Sequence, residues 1–141
     1  IFPREEMAAR QEIHMENYCH VLSIEAGAMA DMLRRDILPA ASAYAGELNR
    51  RALGRSNAAC RYENAAAARI SECTDALMTA CDKLEADLGE APGDVEARMT
   101  YFHAVILEDM AAARSLADEL ETLVERKSWP FPTYSDILFY M

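Results

Sequence analysis

VEARMTYFHAVILEDMAAARSLADELETLV, residues 95–124, decides the fold class. Val95, Met99, Phe102, Ile106, Met110, Ala113, Ala117, Leu120 and Val124 recur at steps of three and four, the signature of one helix face. The pattern runs eight steps without a break. Asp94 stands where its carboxylate can accept from the first free amides, and Glu96 sits near the positive end of the helix dipole. The spacing therefore predicts a helix over about 94–127.

Two further segments repeat the pattern. Upstream, Tyr62, Ala66, Ile70, Cys73, Leu77, Cys81, Leu84 and Leu88 form a second stripe, predicted as a helix over about 57–88. Ser56 or Asn57 is expected to cap it, Gly89 to end it, and the Glu90–Gly93 stretch to turn the chain. In the first segment Met15, Tyr18, Leu22, Ala26, Met29, Leu33 and Ile37 share a face, giving a helix over about 4–53. Val21, Ile24, Ala28 and Met32 widen that stripe, so this helix is expected to be covered on more than one side. Pro39 removes a backbone donor and crowds the preceding turn, which predicts a kink or short break there. Gly54 suits a left-handed residue just past the helix end. Short connections between long helices imply antiparallel neighbours. The expected fold is all-α, with residues 1–141 as one domain: an antiparallel bundle of three long helices with an extended aromatic C-terminal tail.

Composition agrees with helix and narrows function. Apolar residues make up 52% of 141, much of it alanine, which orders in a helix at no side-chain entropy cost. With 24 acidic against 14 basic residues the formal charge is -10, which repels phosphate backbones and anionic lipid heads. Nucleic acid and membrane surfaces are thus excluded as expected partners. No apolar run approaches the roughly 18 residues a bilayer span requires. The start, Ile1-Phe2-Pro3-Arg4-Glu5-Glu6, has neither the basic nor the apolar region of a signal peptide. It also lacks an initiator methionine, which suggests that the chain begins partway through a longer protein. Cys19, Cys60, Cys73 and Cys81 form no Cys-x-x-Cys pair and read as reduced, buried thiols of a cytoplasmic protein.

Motifs that carry chemistry are sparse. None of His14, His20 and His103 has an acidic residue three positions before it, as di-iron bundles require. Neither a His-Glu-x-x-His zinc motif nor an EF-hand loop occurs. Glu16 and His20 read as an exposed ion pair rather than ligands. The five glycines stand singly, so no phosphate-cradling loop exists, and no nucleophile elbow is present. The eight methionines read as gap-filling in the core; the competing reading is an adaptable binding groove. Catalytic, cofactor and metal residues are all read as absent from this chain.

Residues 128–141 change character. They hold five of the eleven aromatic residues, and Pro130 and Pro132 force Trp129 and Phe131 toward extended geometry. Ser135 or Asp136 is expected to begin one last short turn of helix. So much aromatic surface is not stable in water as a free tail. Trp129, Phe131, Tyr134 and Phe139 are accordingly the candidate docking residues.

Two stretches carry a family likeness. Arg10-Gln-Glu-Ile-His-Met-Glu-Asn-Tyr-Cys-His-Val-Leu-Ser-Ile-Glu-Ala26, with the Ile37-Leu-Pro-Ala40 run, resembles the opening helix of the C-terminal region of type III glutamine synthetases. Trp129-Pro-Phe-Pro-Thr-Tyr-Ser-Asp-Ile-Leu-Phe139 is similar to that region's closing WPFPTYGDLLF motif, with Ser135 in place of the glycine. Between about residues 50 and 115 the likeness is sparse. The resemblance implies a cytoplasmic ligase that joins ammonia to glutamate with ATP and magnesium or manganese, and a parent protein that is a homo-oligomer. It implies that the metal-holding carboxylates and phosphate-neutralising arginines lie in an upstream catalytic domain, the expected partner of this chain. Competing readings are a free-standing helical interaction or sensory module and a metal-carboxylate bundle enzyme.

Overall fold

The computed structural model describes residues 3–55 and 59–139, and among these residues no strand occurs. Six α-helices follow in order: α1 (Arg4–Met32), α2 (Leu38–Gly54), α3 (Arg61–Gly89), α4 (Val95–Tyr101), α5 (Leu107–Leu123) and α6 (Tyr134–Phe139). The described residues form an all-helical fold, as the periodicity requires.

No loop separates α1 from α2. Leu33–Ile37 winds as a π-helix, with the Leu38 N–H donating to the Leu33 carbonyl five residues back. Pro39 explains the location. It has no N–H to offer the Arg35 carbonyl, and its ring crowds that oxygen in a tight turn. Widening the turn just ahead of the proline relieves the clash while the helix continues. A second π segment, Phe102–Ile106, joins α4 to α5 in the same way, with the Leu107 N–H bonded to the Phe102 carbonyl. No proline accompanies it, and nothing in the structure explains its position.

The caps follow the sequence in part. Asp94 accepts from the Ala97 N–H at 3.0 Å and starts α4. Gly54 is the last residue of α2, not a left-handed residue beyond it, and Arg55 at φ -118° closes the helix. The caps expected at Ser56 and Asn57 lie outside the described residues. The α-helix itself begins at Arg61, with Cys60 in the cap position and no side-chain bond there.

From its turn, α3 folds back along α2 and the end of α1. The Cys60 thiol donates to the Ala52 carbonyl and the Cys81 thiol to the Ala30 carbonyl, each at 3.8 Å, so rising numbers on α3 meet falling ones opposite. The α4–α5 rod then returns along α3, where Tyr101 Oη donates to the Asp87 carbonyl at 2.7 Å and Arg69 pairs with Glu119. Phe102, Leu48, Ile70, Leu77, Leu84, Ile106 and Leu120 are fully buried where these elements meet. Cys19, Cys60, Cys73 and Cys81 are all buried and unbridged, and burial pushes the Cys73 and Cys81 thiols above their ordinary range. Among the described residues no helix is long and apolar enough to cross a membrane.

Candidate docking surface

After α5 the chain leaves helix at Val124, whose backbone is extended at φ -80° and ψ 139°. A single 3-10 turn, Arg126–Ser128, follows. Trp129 is extended at φ -75° and ψ 129°, as the proline after it demands. The segment then ends in α6, so only its first part is extended. Thr133 caps this helix, one residue before Tyr134. Its N–H and hydroxyl donate to Asp136 Oδ2, each at 2.8 Å, while its Oγ1 accepts from the Asp136 N–H at 3.3 Å. This reciprocal capping box starts α6 at Tyr134, a residue or two before the start read from Ser135 or Asp136. The donors from Thr133 hold the Asp136 carboxyl below its ordinary range.

The four candidate docking residues do not share one environment. Trp129 is 8% exposed and belongs to the main core, and Phe131 is half-buried against it. Tyr134 is 64% and Phe139 82% exposed. Helix geometry adds Ile137 and Leu138, which are similarly exposed. The first half of the segment is thus anchored in the chain's own core, and the second half presents apolar side chains to solvent.

Between the two halves lies a groove of about 480 Å³. Met29, Met32 and Leu33 form one wall, Met110 and Ala117 another, and Trp129, Phe131, Tyr134 and Ile137 close the third side. Arg114, Asp118 and Glu121 stand at its rim. Phe139 is not part of it. Three of the eight methionines meet here, so they are not only core filler. Glu121 accepts from the Tyr134 N–H at 3.4 Å, tying α6 to α5.

Asp109 is the buried acid of the core: Lys83 pairs with it and with Asp87, while its Oδ2 lacks a hydrogen-bond partner. Burial pushes the Asp109 carboxyl up, against the pull of the Lys83 ammonium. His20 and Glu16 are exposed and line a shallow cleft with Arg98, whose guanidinium lies 5.8 Å from the centre of the Phe102 ring. Among the described residues no group of three or more His, Cys, Asp or Glu is placed to hold a metal ion.

A family model described as the glutamine synthetase C-terminal domain matches residues 1–55. A glutamine synthetase of Butyrivibrio fibrisolvens is 32% identical over 145 residues, covering 99% of this chain and 21% of that protein. The type-3 glutamine synthetase of Dictyostelium discoideum is 28% identical over 148 residues, covering 95% of this chain and 20% of that protein. The chain therefore spans about a fifth of the length of the curated relatives it matches. No solved structure matches it. The likeness carried by the two end segments extends over nearly the whole chain.

Proposed function

Given that the chain resembles the C-terminal helical domain of type III glutamine synthetases, we propose that it is the non-catalytic, structural C-terminal domain of such an enzyme. In this reading residues 1–141 are one domain, an antiparallel bundle of three long helices with an aromatic end. The longer protein is a cytoplasmic homo-oligomer that makes glutamine from glutamate, ammonia and ATP. ATP and magnesium or manganese would be held by an upstream catalytic domain, and no step of the reaction is assigned to a residue here. The domain's work is to dock on that catalytic domain and support assembly.

The observation that carries the reading is the division of the aromatic segment. Trp129 and Phe131 fix its direction from the core, while Tyr134, Ile137, Leu138 and Phe139 stay uncovered on a capped helix. Four adjacent large apolar side chains in water are unfavourable by about 1.5–3 kcal/mol each relative to burial, which favours a partner surface for α6. The gene upstream of Ile1 tests the first half: an in-frame glutamine synthetase catalytic sequence is expected, and a nearby start codon overturns it. Replacing Ile137 and Phe139 together with serine in the longer protein tests the second. Smaller assemblies or a lowered melting temperature are expected, and unchanged values of both refute docking through α6. The groove lined by Met29, Met32 and Met110 favours one second reading, an interaction module that binds an apolar ligand. Saturable binding of apolar dyes at this groove, with the upstream sequence absent, would support that reading instead.

A further inference from the structure

Helix α1 has two apolar faces. One is built into the core through Cys19, Leu22, Ala26 and Ala30. The other carries Ile13, Val21 and Ile24, which are 63%, 45% and 59% exposed, and ends at Met32, which also borders the Trp129 groove. At 3.6 residues per turn the two sets point about 180° apart, so no rotation of α1 buries both within this chain. The first turns of α1 are also exposed all round, from Arg4 to His14.

The charges bordering the outer face indicate what covers it. Glu6 pairs with Arg10 at 3.0 Å near one end, and Asp31 with Arg35 at 2.8 Å near the other. Both pairs read acid first and base four residues later. Reversing the direction of a second identical helix therefore sets Arg10 against Asp31 and Glu6 against Arg35. A parallel, in-register copy would set like against like. In the antiparallel register the two-fold axis falls near Val21, with Asn17 and Ile24 on either side. It also lays the exposed first turns of each α1 along the Ala28–Arg35 stretch of the other. The overlap from Glu6 to Arg35 is about 45 Å long, and helix dipoles oppose one another in this arrangement.

We propose that the outer face of α1 is a self-pairing surface: a second copy of this chain docks there, antiparallel, about an axis near Val21. This deepens the proposed assembly-supporting role and rests on it, but uses a surface other than the exposed residues of α6.

The test is sedimentation of the 141-residue chain from micromolar to near-millimolar concentration, with circular dichroism as the control for folding. The wild type is expected to dimerise reversibly. Val21→Glu places two like charges at the axis on a solvent-facing position, and should leave a folded monomer. Arg10→Glu and Asp31→Arg should each weaken the dimer about tenfold, since the axis duplicates every contact. The double variant should recover most of the loss. A monomeric wild type, a dimer indifferent to Val21→Glu, or a double variant no better than the single ones overturns the proposal. Failure of α6 docking is separable: the Ile137 and Phe139 serine variant of this chain should dimerise like the wild type.

Discussion

Replacing Trp129 with alanine separates a self-docked tail from a free one. At 8% exposure within the main core, Trp129 withdraws nearly all of a side chain that buries about 150–250 Å². At about 25 cal/mol per Å² that area alone is worth some 4–6 kcal/mol, and cavity-forming aromatic-to-alanine changes cost about 3–5 kcal/mol. Part of the loss is recoverable, because the indole closes one side of a groove next to solvent and its neighbours can settle inward. A destabilisation of about 3–4 kcal/mol is the working figure. For a domain of this size it lowers the melting temperature by about 10–15 °C. Urea and thermal unfolding of the isolated chain, followed by far-ultraviolet circular dichroism, measure it without relying on the single tryptophan. Phe139→Ala is the control: at 82% exposure it should change stability by less than about 0.5 kcal/mol. If Trp129→Ala costs less than about 1 kcal/mol, or the two variants cost the same, the division of the aromatic segment is wrong.

Acidification and thiol chemistry give two further checks. Burial raises the Asp109 carboxyl in the folded state, so the folded chain holds that proton more tightly than the unfolded chain. Its stabilising contribution is then present in acid and lost as pH rises through the folded value. In urea titrations between about pH 7 and pH 4, the wild type should gain on Asp109→Asn as pH falls; a gap that narrows on acidification contradicts the assigned environment. All four thiols are buried and unbridged, and burial raises Cys73 and Cys81. A thiol-specific chromophoric reagent at neutral pH should label almost none of them in the native chain and all four in denaturant. Rapid native labelling would place at least one thiol outside the core.

Where a local rule sufficed, the sequence could be read. Asp94 lies directly before a regular stripe, and it does cap α4; the Ile70–Leu84 stretch of the second stripe is buried at every predicted position. The change of helix type before Pro39 was legible in position but not in form. A missing N–H predicts a disturbed turn, while only packing on both sides decides between a break and a widened π turn. The π segment at Phe102–Ile106 has no marker residue such as a proline. Thr133 escaped notice as a cap for a related reason: its partner Asp136 was itself read as a start of the helix, and a capping box needs both residues seen together.

The aromatic segment shows where one-dimensional reading stops. Trp129, Phe131, Tyr134 and Phe139 are alike in hydrophobicity, and sequence gives no ground for ranking them as anchors. Their fates diverge where the turn after α5 brings the chain back toward Met29 and Leu33, so that Trp129 joins the core and Phe131 packs partly against it. Tyr134 and Ile137 of α6 only line the groove left open between α1 and α5, and among the described residues the apolar side chains of α6 stay largely uncovered. The same reasoning applies to α1. Val21, Ile24, Ala28 and Met32 announced a second covered side, yet within this chain only Ala28 and Met32 reach a neighbouring groove, and Val21 and Ile24 stay exposed. Uncovered large apolar side chains are most numerous on α1 and α6, where each helix carries more apolar circumference than its described neighbours bury. Those uncovered side chains are the surfaces that the proposed contacts of α6 and α1 would use.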